Sequence, residues 1–240
     1  MKIDPDKCIA CLECIDFCPM NCIAEQRDTV AIDQDECVEC GVCLHVGICP
    51  TDAIFRPAEV NEYPRALRAE FSDPGVWHPS TNQGGRGTEE MKTNDVTGRF
   101  RRGEFGMALE FGRPGIGAWM IDLEKVLQVL MDMEVELEMD NAIFAFLEEP
   151  LNGRVKEEFR QEKVLSAILE FKIREEQLEQ VVRQLQPVLE ELETVVSWGL
   201  ATRFDEDGTL PVRARLESLG LPARPNAKIN MGMGRPIVEP

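Results

Sequence analysis

Ile3-Asp4-Pro5-Asp6-Lys7-Cys8-Ile9-Ala10-Cys11 returns 29 residues later as Ile32-Asp33-Gln34-Asp35-Glu36-Cys37-Val38-Glu39-Cys40. Two copies of one small unit predict two similar sites related by approximate symmetry. Read onward, the first copy is Cys8-x2-Cys11-x2-Cys14-x3-Cys18-Pro19 and the second is Cys37-x2-Cys40-x2-Cys43-x5-Cys49-Pro50. All nine cysteines of the 240-residue chain lie between Cys8 and Cys49. An odd number fits poorly with a closed set of disulfides. The N-terminus has no signal-peptide core and no apolar run is long enough to span a bilayer, so a cytoplasmic chain is expected. In that compartment cysteine is more at home as a metal ligand than in a bridge.

The spacing sharpens the expectation. Three thiolates on a tight loop can each reach a different iron of one cubane. The fourth, beyond a short helical turn ended by proline, is carried away to the site of the other repeat. Zinc is the alternative, but it favours two separated cysteine pairs over three ligands in seven residues. Residues 1–56 resemble a bacterial-type ferredoxin with two 4Fe-4S clusters. The resemblance implies one cluster on Cys8, Cys11, Cys14 and Cys49 and a second on Cys37, Cys40, Cys43 and Cys18. It also implies one-electron transfer.

Two departures stand out. Five residues separate Cys43 from Cys49 where the pattern has three, which leaves a 3Fe-4S centre or another fourth ligand open at the first site. The ninth cysteine, Cys22, matches Ala53 of the second copy. It reads as a small buried hydrophobe beside a cluster, or as a replacement ligand if Cys49 falls short. His45, in the longer turn, reads as a surface residue or a hydrogen-bond donor.

Charge divides the rest. The chain carries 26 Lys+Arg against 44 Asp+Glu, net −18. Residues 1–55 hold −8, 56–105 zero, 106–207 −13 and 208–240 +3. The excess acid argues against nucleic acid and against a polybasic membrane anchor. It favours redox partner proteins with basic docking faces.

Residues 57–104 read as an irregular Gly/Pro-rich connector anchored by Tyr63, Phe71 and Trp77, with His78 a packed loop residue. Its Gly84-Gly85-Arg86-Gly87-Thr88 stretch is either a structural loop or an anion nest centred on Arg86. Residues 105–207 contain a second repeat. Strand-like Phe105–Phe111 and Leu165–Phe171 each precede a helix whose face is Leu123, Val126, Leu127 and Leu130, or Leu178, Val181, Val182 and Leu185. Pro187 should kink the second helix or end it early. Ala142–Leu147 and Thr194–Thr202 are read as closing strands, and the Glu134–Glu138 run as a solvated strand face. The expected class is α+β, with a βαββαβ sandwich of two helices on a four-stranded antiparallel sheet. Gly112-Arg113-Pro114-Gly115 resembles the start of ACT regulatory domains, which implies a small-ligand loop at Arg113. Residues 208–240 read as an extended basic arm.

The overall expectation is a ferredoxin-like subunit of an anaerobic oxidoreductase complex, with dimerisation through the βαββαβ unit as a further use of that surface. No nucleophile, acid–base histidine site or nucleotide fingerprint supports catalysis by this chain alone. The alternatives are a reductase part that binds substrate or flavin near Arg86 and Arg113, or a redox-linked ACT-like metabolite sensor.

Overall fold

The computed structural model describes residues 1–85, 101–149 and 151–224. Strand β1 (Lys2–Ile3) pairs antiparallel with β4 (Ile54–Phe55), and β2 (Ile23–Gln26) forms a hairpin with β3 (Thr29–Ile32). The internal repeat is written into the backbone. Positive φ recurs at Ala10 and Glu39, at Leu12 and Gly41, and at Asn21 and Asp52. Non-glycine residues rarely adopt this conformation. Its return at matching positions shows two copies of one local fold. The Asp4 and Asp33 carbonyls likewise accept from the amides of Cys8 and Cys37, each at 3.0 Å.

The longer second turn has a simple outcome. The first copy makes one 3-10 turn, Ile15–Phe17, before Cys18; the second makes a helix, α1 (Val42–His45), and closes through Gly47 at φ +62°. The two extra residues are absorbed as helix and do not displace the strand that follows.

Residues 57–104 are not irregular throughout. Within them lies α2 (Ala66–Ser72), all seven of whose residues are buried. A helix buried on every side carries no amphipathic period, which is why none is visible in the sequence. Of the expected anchors, Phe71 is buried while Tyr63 and Trp77 are exposed. His78 packs edge-on to Phe71 and Phe146, each with ring centres 5.4 Å away, and burial lowers its pKa to about 4.

The second unit is a four-stranded antiparallel sheet. Its strands are β5 (Glu104–Phe111), β7 (Glu136–Leu137), β9 (Ala167–Arg174) and β10 (Val196–Ala201), in the order β10-β5-β9-β7. A separate short pair joins β6 (Ala118–Trp119) to β8 (Lys163–Val164). Helix α3 (Met120–Met131) follows β5 and β6, and α4 (Leu178–Glu190) follows β9. Alternate residues of the central strands share one core with the helices: Phe105, Met107, Leu109 and Phe111, then Ala167, Leu169, Phe171 and Ile173. Period-2 burial on strands meets period-3.6 burial on helices at this layer.

Three expectations change. Ala142–Leu147 is not a strand: Ala142–Phe146 is a 3-10 helix. Asn141 caps it, accepting from the Ile143 amide at 3.1 Å and donating to the Ile168 carbonyl at 2.9 Å, and β7 takes the place at the sheet edge. Pro187 does not end its helix early. It lies on the exposed side, and Val188 and Leu189 pack on the core and hold the final turn to Glu190. Finally, the tail is not wholly extended. It contains α5 (Val212–Ser218), with Val212 buried and Arg215 bonded to the Glu175 carboxylate at 2.8 Å.

Candidate metal centres

The loops Cys8–Cys14 and Cys37–Cys43 each wrap a hollow. The first, counting the open space at its mouth, is ≈ 330 Å³ and is lined by Cys8, Cys11, Cys14 and Cys49. The second, counted the same way, is ≈ 300 Å³ and is lined by Cys18, Cys37, Cys40 and Cys43, with Cys22 as a fifth thiol. Each hollow thus draws three cysteines from one repeat and the fourth from the other. Cys49 reaches the first hollow despite the longer turn.

The hollows differ from a single-ion site. Among the described residues no three His, Cys, Asp or Glu side chains close on one ion. Thiols set around a cavity walled by Ile3, Val30 and Ile54, or by Ile23, Ile32 and Val38, suit a larger inorganic core in apolar surroundings. Backbone donors complete the fit. The Ala53 amide donates to Cys49 Sγ at 3.2 Å, and the Cys22 amide donates to Cys18 Sγ at 3.4 Å. N–H groups aimed at sulfur favour the thiolate, the form that binds iron. The residues present therefore fit 4Fe-4S clusters in both hollows.

Cys22 lines the second hollow and not the first, where Cys49 stands. Its Sγ is 3.4 Å from Cys18 Sγ, within sulfur hydrogen-bond distance, and Cys37 is a second sulfur neighbour. Hydrogen bonding with Cys22 holds the thiols of Cys18 and Cys37 below the usual range, while Cys22 itself is pushed up. Burial pushes Cys40 up to about 11 and Cys43 to about 12. The ninth cysteine is thus a buried thiol in the second hollow, in the place where the first hollow has Ala53.

Around the second hollow the chain closes on itself through contacts that no motif foretold. Arg68 of α2 donates through Nη1 to the carbonyls of Gln34 at 3.2 Å, Asp35 at 2.8 Å and Cys37 at 2.8 Å. Its Nε bonds Glu162 of the second unit. Arg65 grips the Gln34 carbonyl at 2.6 Å and the Glu39 carboxylate at 2.6 Å. Glu39 is fully buried. Burial pushes its pKa up, but the N-terminal ammonium and Arg65 outweigh that and hold it below the usual carboxylate range. Lys163 reaches Glu36 at 2.5 Å.

The other expected site residues fall elsewhere. Arg113 is exposed on the Gly112–Gly117 turn. Two glycines of that turn, Gly115 and Gly117, face the ferredoxin-like unit. A Cβ on Gly115 would stand 2.7 Å from the Pro19 carbonyl, and one on Gly117 2.9 Å from Met20 Cε. The turn is thus a close-packed contact beside the second hollow. Arg86 lies outside the described residues, so the nest expected there is not placed. His45 Nε2 is 3.1 Å from Asp73 Oδ2 at the end of α2. No helix among the described residues is long and apolar enough to cross a membrane.

Comparison with known proteins agrees with the site. The 4Fe-4S dicluster domain family matches residues 1–50. Ferredoxin-1 of Caulobacter vibrioides is 30% identical over 99 residues, 40% of this chain and 86% of that protein. A ferredoxin of Streptomyces griseus is 42% identical over 66 residues, 26% of this chain and 61% of its own length. Pyruvate synthase subunit PorD of Methanothermobacter marburgensis is 46% identical over 52 residues, 22% of this chain and 58% of its own length. The chain therefore spans less than two thirds of the last two. No solved structure matches the chain significantly. The match to the dicluster domain and the extent of the Caulobacter relative that is covered place this chain in the ferredoxin family.

Proposed function

We propose that the chain is the iron–sulfur electron-transfer subunit of an oxidoreductase complex and carries two 4Fe-4S clusters. Cys8, Cys11, Cys14 and Cys49 hold one; Cys37, Cys40, Cys43 and Cys18 hold the other. When bound, such clusters each take up and release one electron. The chain's own residues hold the thiolates in place, aim backbone N–H groups at sulfur and keep water from the buried sides. The βαββαβ unit, a ferredoxin-like sandwich, serves as a scaffold for docking within the complex.

The observation that carries this reading is that each hollow gathers the three loop cysteines of one repeat with the fourth cysteine of the other, Cys49 in the first and Cys18 in the second. The similarity to PorD, whose name calls it a subunit, and the length of chain beyond residue 56 favour a subunit over a free carrier.

Anaerobic purification followed by iron, sulfide and EPR measurement tests it. About eight iron atoms per chain and two interacting reduced signals are expected. About four iron atoms, or bound zinc in their place, would contradict it. Cys49→Ala is expected to lose the signal of one cluster, while Cys22→Ala keeps both. The reverse order in EPR would show that the ligand sets are wrongly assigned.

A further inference from the structure

The two repeats share a backbone but not an environment. At matching positions Ile9 is 63% exposed and Val38 1%; Leu12 is 37% exposed, whereas Gly41 is buried. Cys11 is exposed and Cys40 is buried. The second copy is met by α2 and the residues at its two ends. Arg65 and Arg68 reach the carbonyls of Gln34, Asp35 and Cys37, Arg65 also binds the Glu39 carboxylate, and Asp73 lies beside Gly41 and His45. The repeat maps those three positions onto Pro5, Asp6 and Cys8. Pro5 and Asp6 are exposed and Cys8 is half-buried. One copy of the loop is therefore bound by two arginines of its own chain, and the other is open.

The open copy has the chemistry of a docking face. Ile9 and Leu12 line the first hollow and also reach the surface. Phe17 is exposed nearby in sequence, and Asp6, Glu13 and Asp16 are exposed with them; the one cation of the stretch, exposed Lys7, is 3.8 Å from the Asp4 carboxylate and leaves the excess acidic. An apolar centre within an acidic rim suits a protein surface of apolar centre and basic rim.

We infer that the surface formed by Pro5–Phe17 is the docking site for a protein redox partner with a basic face. That partner covers the first loop as α2 and the residues at its ends meet the second. Electron exchange with other proteins is thereby confined to the first-hollow end. This rests on the electron-transfer reading above.

The test uses full-length, cluster-loaded protein and cytochrome c as a basic redox protein, both oxidised so that no electron moves. Binding is followed by titration calorimetry at low salt. Asp6→Lys with Glu13→Lys is compared with Glu191→Lys with Glu193→Lys, an equal charge change at the end of α4. Ile9→Ser with Leu12→Ser probes the apolar centre. The first pair is expected to raise Kd about tenfold or more and the α4 pair less than about twofold. The serine pair is expected to weaken binding in a way that added salt does not abolish.

Equal weakening by both charge pairs would show bulk attraction and overturn the inference. So would unchanged binding in the first pair, or no binding by the parent protein. Iron content and EPR are recorded on every variant. Absent clusters in the parent would instead defeat the electron-transfer reading, a result distinct from any change in Kd.

Discussion

Arg68→Ala is expected to destabilise the protein by about 3–5 kcal/mol, the range for removing one member of a buried charged pair. Arg68 is buried and occupies four acceptors: three carbonyls of the 34–37 segment and the Glu162 carboxylate. Its loss leaves a largely buried carboxylate and three carbonyls short of a donor, and desolvated acceptors are costly to strand. The damage should also be local. The 37–43 loop supplies three of the thiols at the second hollow, so its cluster signal should broaden or fade before that of the first. Arg68→Lys keeps the charge but lacks the forked donors and is expected to recover only part of the stability. Urea unfolding with EPR on the same samples checks both effects. A loss below about 1 kcal/mol, with both signals intact, would show that the guanidinium does not staple the two units.

The second large effect follows removal of iron. The ferredoxin unit has strands of two to four residues and a small apolar core in which the cysteines themselves take part. Such a unit cannot bury enough surface to fold alone, so cluster binding is much of its folding free energy. Anaerobic chelation is expected to erase the dispersed amide signals of residues 1–56 in NMR while those of β5, β9, α3 and α4 persist. The two packed tryptophans of the second unit should part company. Trp119 lies under Lys163, with the ammonium 5.1 Å from the ring centre, and Lys163 is held by Glu36. Its indole signal should therefore shift when the loop melts. Trp198, packed against the sheet core, should hold still. Retention of native dispersion in residues 1–56 without iron would refute this division of stability.

The cysteine spacing made the candidate site readable because ligand sets depend on local geometry, and the repeat preserved that geometry twice. The helix faces of the second unit were readable for a related reason: Leu123, Val126, Leu127 and Leu130 are all buried on one stripe. What escaped was decided at long range. Helix α2 shows no period because both units press on it. The 3-10 helix at Ala142–Phe146 looks like a strand until Asn141 finds the Ile168 carbonyl 27 residues away. Strand β7 has two residues, too few for any pattern to emerge. The covering of one loop and not its twin has no local signature at all, since the residues that cause it, Arg65 and Arg68, lie outside the repeat.

A duplicated unit begins with interchangeable halves, and substitutions acceptable in one are acceptable in the other. Different neighbours end that equivalence. Gly41 has φ +70° and a Cβ there would stand 2.6 Å from His45 Nε2, while its counterpart Leu12 carries a full side chain at nearly the same φ. Val38 and Glu39 are walled in, whereas Ile9 faces solvent. The second half is thus constrained by its own chain and the first by whatever meets it. Substitutions at 38, 39 and 41 would appear as folding defects. Those at 9 and 12 would stay silent until the protein meets another.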